Sequence, residues 1–161
     1  MKQLKLLAFI CVLFFTNSIH AQKYFTRTGN IVFSSDAPME KIEASNQKAT
    51  SVLDATTGQM EFAVLIKAFQ FEKALMQEHY NENYMESDKY PKATFKGRIA
   101  DMSDVDFLND GTYPVKVSGN LTIHGETNEV ETNGTIIIND GKISANSTFE
   151  VEVADYKIEI P

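Results

Sequence analysis

The sequence predicts an all-β fold, an antiparallel barrel of about eight strands with one inserted α-helix. Three observations carry that expectation. Apolar and polar residues alternate with period two over most of the chain from Phe25 onward. Asp-Gly pairs and other turn residues punctuate the alternating runs. One stretch, Phe71 to Met85, departs to a spacing nearer four. Long alternation bounded by turn residues is the signature of half-buried strands joined by hairpins.

Taken in order, Phe25 to Ser35 and Lys41 to Asp54 read as strands, divided near Asp36-Ala37-Pro38. Gln59 to Ala68 follows Gly58 and sets Met60, Phe62, Val64 and Ile66 on one face. In the Phe71–Met85 stretch, Phe71, Leu75 and His79 form one row and Met76, Tyr80 and Tyr84 the next, the stripe of an amphipathic helix. Lys92 to Ala100 turns Ala93, Phe95 and Gly97 to one side. After Asp110-Gly111, Val115, Val117, Gly119, Leu121 and Ile123 share a face. Glu129 to Asn139 does the same with Val130, Thr132, Gly134, Ile136 and Ile138. Asp140-Gly141 then makes a hairpin into Lys142 to Val153, with Ile143, Ala145, Ser147, Phe149, Val151 and Val153 on one face.

Strands with one apolar face must hide it, by closing on themselves or by packing on a second sheet. Consecutive hairpins favour an up-and-down barrel, and closure removes exposed edges. A barrel of about eight strands either fills its interior with side chains or holds one small ligand. The inward positions Ala93, Gly97, Gly119, Gly134, Ala145 and Ser147 are small. They either leave volume for a ligand or mark strong coiling of the sheet.

The first residues read as an export signal. Lys2 and Lys5 precede an apolar run from Leu6 to Phe15, Thr16-Asn17-Ser18 breaks it, and Ala21 offers a small residue for cleavage. A run of about ten residues is too short to span a bilayer, which takes roughly 20. The expected division is therefore a signal peptide over residues 1–21 and a single domain over 22–161. The only cysteine, Cys11, lies inside the run, where it cannot serve as a lipid-anchor site, and leaves with it. The whole chain carries 15 basic and 22 acidic side chains, net −7. Loss of Lys2 and Lys5 leaves 13 against 22, net −9. That balance argues against a nucleic-acid partner and against docking on an anionic membrane. No later segment is apolar for long enough to insert stably, so the expected location is the periplasm or the exterior.

Three segments resemble the YceI-like family. Glu78-His79-Tyr80-Asn81-Glu82-Asn83-Tyr84-Met85-Glu86-Ser87-Asp88-Lys89-Tyr90-Pro91-Lys92-Ala93-Thr94-Phe95 is similar to that family's helix-to-strand segment. Val117-Ser118-Gly119-Asn120-Leu121-Thr122-Ile123-His124-Gly125-Glu126-Thr127 resembles its central strand, and Asp155-Tyr156 falls at a motif near the end. Thr28 to Ser35 keeps only the apolar skeleton of the family's early strand. The resemblance implies a lipocalin-like barrel, exported, holding a long apolar chain such as a polyisoprenoid or an isoprenoid quinone. It also implies one or two strands beyond Pro161, so the chain is short for the family or truncated. Some members pair through barrel surfaces, which makes a homodimer an expectation as well.

The residues themselves offer little catalytic chemistry. No Gly-x-Ser-x-Gly elbow is present, the chain after residue 21 has no thiol, and acid pairs such as Asp104/Asp106 fall on polar faces or loops. The expectation is a binding protein that is not an enzyme and needs no cofactor beyond a bound lipid or isoprenoid quinone. Its candidate lining is Phe62, Val64 and Ile66, then Phe95, Val117, Leu121 and Ile123, then Ile136, Ile138 and Phe149. Phe69, Phe71, Leu75 and Met76 join it where helix meets barrel. His79, Tyr84 and His124 are candidates for polar contacts to a headgroup. Two other readings stay open: a filled barrel acting as an interaction module, and a metal site using His79 and His124.

Overall fold

A computed structural model describes residues 22–36 and 41–159. The expected signal peptide and the Ala37-Pro38 turn lie outside the described residues. The fold is all-β, as the alternation predicts: an eight-stranded antiparallel sheet curled into a nearly closed barrel, with one short helical segment. The strands are β1 (Lys23–Asp36), β2 (Lys41–Asp54), β3 (Gln59–Leu65), β4 (Gln70–Phe71), β5 (Lys92–Ile99), β6 (Gly111–Ile123), β7 (Glu126–Asn139) and β8 (Lys142–Ser147). The order across the sheet is β1-β2-β3-β5-β6-β7-β8, with the short β4 also paired to β2. The path ends at β1 on one side and β8 on the other.

Hairpin chemistry sets the register. His124-Gly125 and Asp140-Gly141 turn the chain with positive φ at both residues, the arrangement that matches the twist of the flanking strands. From the first of these turns β6 and β7 pair without interruption, from Ile123↔Glu126 to Gly111↔Ile138. The β1–β2 pair is less regular: its register shifts on either side of Gly29, where a side chain would crowd the Ala49 carbonyl at 3.1 Å.

The structure shortens the third strand expected from Gln59 to Ala68. It stops at Leu65, and Ile66–Ala68 forms a 3-10 turn instead. The cause lies on β2. Asn46, 1% exposed, donates from Nδ2 to the Leu65 carbonyl at 3.1 Å and accepts from the Lys48 N–H at 2.8 Å. That side chain satisfies a carbonyl the ladder would otherwise have used, and the chain bends inward there.

The helical segment is also shorter than Phe71–Met85. Phe71 belongs to β4, and α1 covers Ala74–His79 before a π-helical turn over Tyr80–Tyr84. The Met85 N–H donates to the Tyr80 carbonyl at 2.9 Å to close that turn. Met76, Tyr80 and Tyr84 are buried or half-buried, whereas Leu75 and His79 face solvent. Among the described residues no helix is long and apolar enough to cross a membrane.

The last expected strand, Lys142 to Val153, ends early at Ser147. The Ser147 hydroxyl donates to the Asn133 carbonyl at 2.7 Å, the point where the ladder would have continued. The chain then leaves the sheet and returns as a 3-10 turn, Val153–Tyr156. Asn128 Nδ2 donates to the Asp155 carbonyl at 2.9 Å and Lys157 pairs with Glu126 at 2.8 Å, holding that turn against the start of β7.

Candidate functional site

The inner face of the barrel is the candidate site, and its apolar residues fall into two clusters at opposite ends. The first gathers Leu53 of β2, Phe95 and Ile99 of β5, Val117 and Leu121 of β6, Ile136 and Ile138 of β7, with Val105 and Tyr156 from connecting segments. Met102 and Phe107, from the β5–β6 connection, pack beneath it. The second gathers Ala44 and Ala49 of β2, Val64, Ile66, Phe69 and Ala93, covered by Tyr80 and Met85 of the helical segment. Ile123 and Ile158 touch both clusters.

Most of the expected lining stands on this face. Val64, Ile66, Phe69, Phe95, Val117, Leu121, Ile136 and Ile138 are buried, and Phe62, Phe71, Met76 and Ile123 are half-buried. Two residues stand apart. Leu75 is 62% exposed, because α1 turns the Met76–Tyr80–Tyr84 row to the protein. Phe149 is 39% exposed, because the chain has left the sheet two residues before it. Val151 and Val153 are as open as Phe149, so an apolar strip runs beside the end of the strand path.

The small residues expected to face inward do not share one environment. The Phe95 ring lies over Gly97 and Gly119, where a Cβ on Gly97 would stand 2.5 Å from Phe95 Cζ and one on Gly119 2.8 Å from it. These two glycines house an aromatic ring. Phe62 stacks on the same ring at 5.1 Å and 14°. Ala145 and Ser147 are exposed on the edge strand β8 and enclose nothing. A recess of about 160 Å³ opens beside the Phe62–Phe95 stack, lined also by Ser51, Val52, Ala63 and Thr94.

The far end is closed by aromatic rings. Tyr80 sits 4.8 Å from Phe71, 5.5 Å from Phe33 and 5.8 Å from Phe69, ring centre to ring centre. Burial in that nest pushes the Tyr80 phenol far above its ordinary pKa, so it stays neutral. Tyr84 packs against the same cluster.

The candidate polar residues are not brought together. His79 is exposed on α1, while His124 occupies the β6–β7 turn. His124 is fully engaged: its Nε2 lies 2.9 Å from Glu86 Oε2 and its Nδ1 3.2 Å from the Tyr156 carbonyl oxygen. Tyr90 meets the imidazole edge-on at 4.4 Å. Among the described residues no group of three His, Cys, Asp or Glu side chains is placed to hold a metal. His124 instead ties the segment after the helix to the last turn of the chain.

Sequence reasoning missed Leu53, Glu86 and the core role of Tyr156. Leu53 carried a signal, since it lies on an alternating strand. Tyr156 carried none in its spacing; only its place in a terminal motif singled it out.

A curled antiparallel sheet with an apolar inner face and a helical cover defines a lipocalin-like barrel. Within that class the chain belongs to the YceI-like domain family, whose model matches residues 20–160. Solved structures share the fold. A polyisoprenoid binding domain from Saccharophagus degradans, implicated in plant cell wall breakdown, superposes with a TM-score of 0.69 at 16% identity, covering 85% of this chain and 81% of that one. BcnA of Burkholderia cenocepacia gives 0.52 at 14% identity, covering 85% and 74%. A YCEI protein of Campylobacter jejuni gives 0.52 at 15% identity, covering 98% and 76%. No curated protein matches the sequence.

Proposed function

We propose that this protein is an exported carrier or sequestering protein that binds one long apolar chain, a polyisoprenoid, an isoprenoid quinone or a fatty-acyl lipid, against the inner face of its barrel. The observation that carries the reading is the continuous apolar face built by β2, β5, β6 and β7, with Ile123 joining its two clusters. Membership of the YceI-like family and the fold shared with a polyisoprenoid binding domain support it. Each ligand CH₂ taken out of water contributes about 0.8 kcal/mol. A chain of some fifteen carbons therefore gains enough to offset the ordering cost of binding. The strip Phe149, Val151 and Val153, beside the end of the strand path, is the side on which the chain enters. No step in this function needs a catalytic group. Export through the signal at residues 1–21 is part of the proposal, and N-terminal sequencing of the secreted protein, starting at Gln22, checks it.

The test is native mass spectrometry of the purified protein with extraction of what it releases, repeated on Phe95→Glu and Leu121→Glu. A co-purified long-chain lipid, lost from folded variants, is the expected result. Full retention of lipid by a folded variant would falsify the assignment. The alternative is a filled barrel that serves as an interaction module, and the Phe95 ring lodged over Gly97 and Gly119 favours it. Failure to take up added quinones, prenols and fatty acids is the outcome that selects it.

A further inference from the structure

The imidazole of His124 stands between two acceptors. Its Nε2 lies 2.9 Å from the Glu86 carboxylate and its Nδ1 3.2 Å from the Tyr156 carbonyl oxygen, and the side chain is 10% exposed. An ionised carboxylate and a backbone carbonyl have no proton to give, so both contacts are hydrogen bonds only when each ring nitrogen carries one. The imidazolium meets that demand. A neutral ring has a single N–H, and its other nitrogen then points a lone pair at an oxygen. The two acceptors belong to different parts of the chain. Glu86 follows the helical cover of the second cluster, whereas Tyr156 stands in the last turn and is buried in the first.

We infer that His124 is a proton-operated clasp on the last turn of the chain, closed when the ring is an imidazolium and released from the Tyr156 carbonyl when it is neutral. The side that opens follows from hydrogen-bond strength. A bond to a carboxylate outlasts one to a neutral carbonyl, so the remaining N–H stays on Nε2 toward Glu86. Other charged groups surround the ring. Lys89 lies 3.7 Å from the second Glu86 oxygen and 4.7 Å over the Tyr90 ring, which meets the imidazole edge-on. Lys157 pairs with Glu126 at 2.8 Å, and Asp155 adjoins Tyr156. Both lysines are held above their ordinary pKa, Lys89 chiefly by Tyr90 and Lys157 by Glu126, so they stay charged. Burial keeps the Tyr156 phenol neutral. Two further side chains hold the turn, Asn128 on the Asp155 carbonyl and Lys157 on Glu126, and neither changes its donors between about pH 5 and 8. A contact made by the protonated ring stabilises at low pH and is lost as pH rises. The cover of the larger cluster is therefore tight in mild acid and looser in mild alkali, whatever the barrel holds.

The test follows ring and turn together between about pH 5 and 8, by nitrogen NMR of histidine-labelled protein and by amide hydrogen exchange corrected for the intrinsic rate. Exposed His79 gives the reference titration. His124 should lose its proton from Nδ1 and keep the one on Nε2. Protection of the Lys157 and Ile158 amides, which close the turn, should fall about 10-fold in step. Amides of the β6–β7 ladder should keep theirs. Glu86→Gln separates a proton-operated clasp from a merely structural one. Glutamine can donate to Nε2 as well as accept from it, so the neutral ring keeps its Nδ1–H on Tyr156 and the turn holds its protection across the range. Loss of the proton from Nε2 in the wild type overturns the inference, as does turn protection that stays level with pH. A folded Glu86→Gln variant whose turn loosens as the wild type does overturns it too. If that variant does not fold, the wild-type ring and amides decide by themselves.

Discussion

Glu86 and His124, two of the four described non-glycine residues with positive φ, hold each other by a 2.9 Å contact between carboxylate and imidazole. Positive φ costs an L-residue free energy, and such a conformation persists where surrounding contacts over-determine it. Here the contacts are a hairpin turn, the Tyr156 carbonyl and the Tyr90 ring. His124→Ala keeps the backbone penalty and removes all three ring contacts. Urea unfolding should show a loss of about 1–3 kcal/mol. His124→Asn should lose less, since asparagine tolerates this conformation better.

Gly97 supports the Phe95 ring, so it has no room for a methyl group. Gly97→Ala should destabilise by about 1–3 kcal/mol, the usual cost of overpacking. The backbone carbonyl of Ser118 crowds the same point and cannot swing aside. The urea midpoint reads the effect, and Gly141→Ala is the contrasting case. A Cβ at Gly141 meets nothing within 4 Å, leaving only the strain of φ +70°.

Asn46 bends the chain after β3. Asn46→Ala would orphan the Leu65 carbonyl and the Lys48 N–H together, at a cost of about 1–3 kcal/mol. Faster hydrogen exchange at Lys48 than at β2 amides farther along the strand is the local sign to look for.

Three surface carboxylates predict how the protein meets acid. Asp54 is held below its ordinary 3.8 chiefly by the Thr57 N–H, with Thr56 adding to it. Asp101 is lowered by the Ser103 N–H, and Asp106 by the Asn109 side chain and the Leu108 N–H. A lowered folded pKa means stability that is present above the unfolded value and lost as pH falls through the folded one. Melting temperature should therefore be insensitive to these groups above pH 4 and fall below 3.8. Asp54→Asn should flatten that acid limb; an unchanged limb refutes the contribution of Asp54.

Much of this fold was legible in the sequence, and the exceptions share a physical cause. The alternation of β2, β6 and β7 is dictated by residues next to one another, as is the Asp140-Gly141 turn. The 3-10 turn at Ile66 is not, because Ile66 and Ala68 prolong the apolar rhythm and the bend depends on Asn46 of another strand. Phe149 follows the same logic. Its alternation with Ser147 and Val151 is intact, yet Ser147 gives its hydroxyl to Asn133 and the turn at Asp155 is hooked by Asn128. The lining on β5, β6 and β7 was legible because period assigned a face. Tyr156 was opaque because a single ring beyond the last strand has no period to betray it.

The place of Tyr156 also bears on how the barrel is made. Synthesis releases the chain from its N-terminus, and Leu53 is free long before the residue that shares its cluster. Until Tyr156 arrives, the sheet can curl but its larger cluster stays uncapped and wet. Completion waits on a contact between distant parts of the chain, which slows the final step relative to hairpin formation. The larger cluster is therefore the last part of the core to be sealed against water.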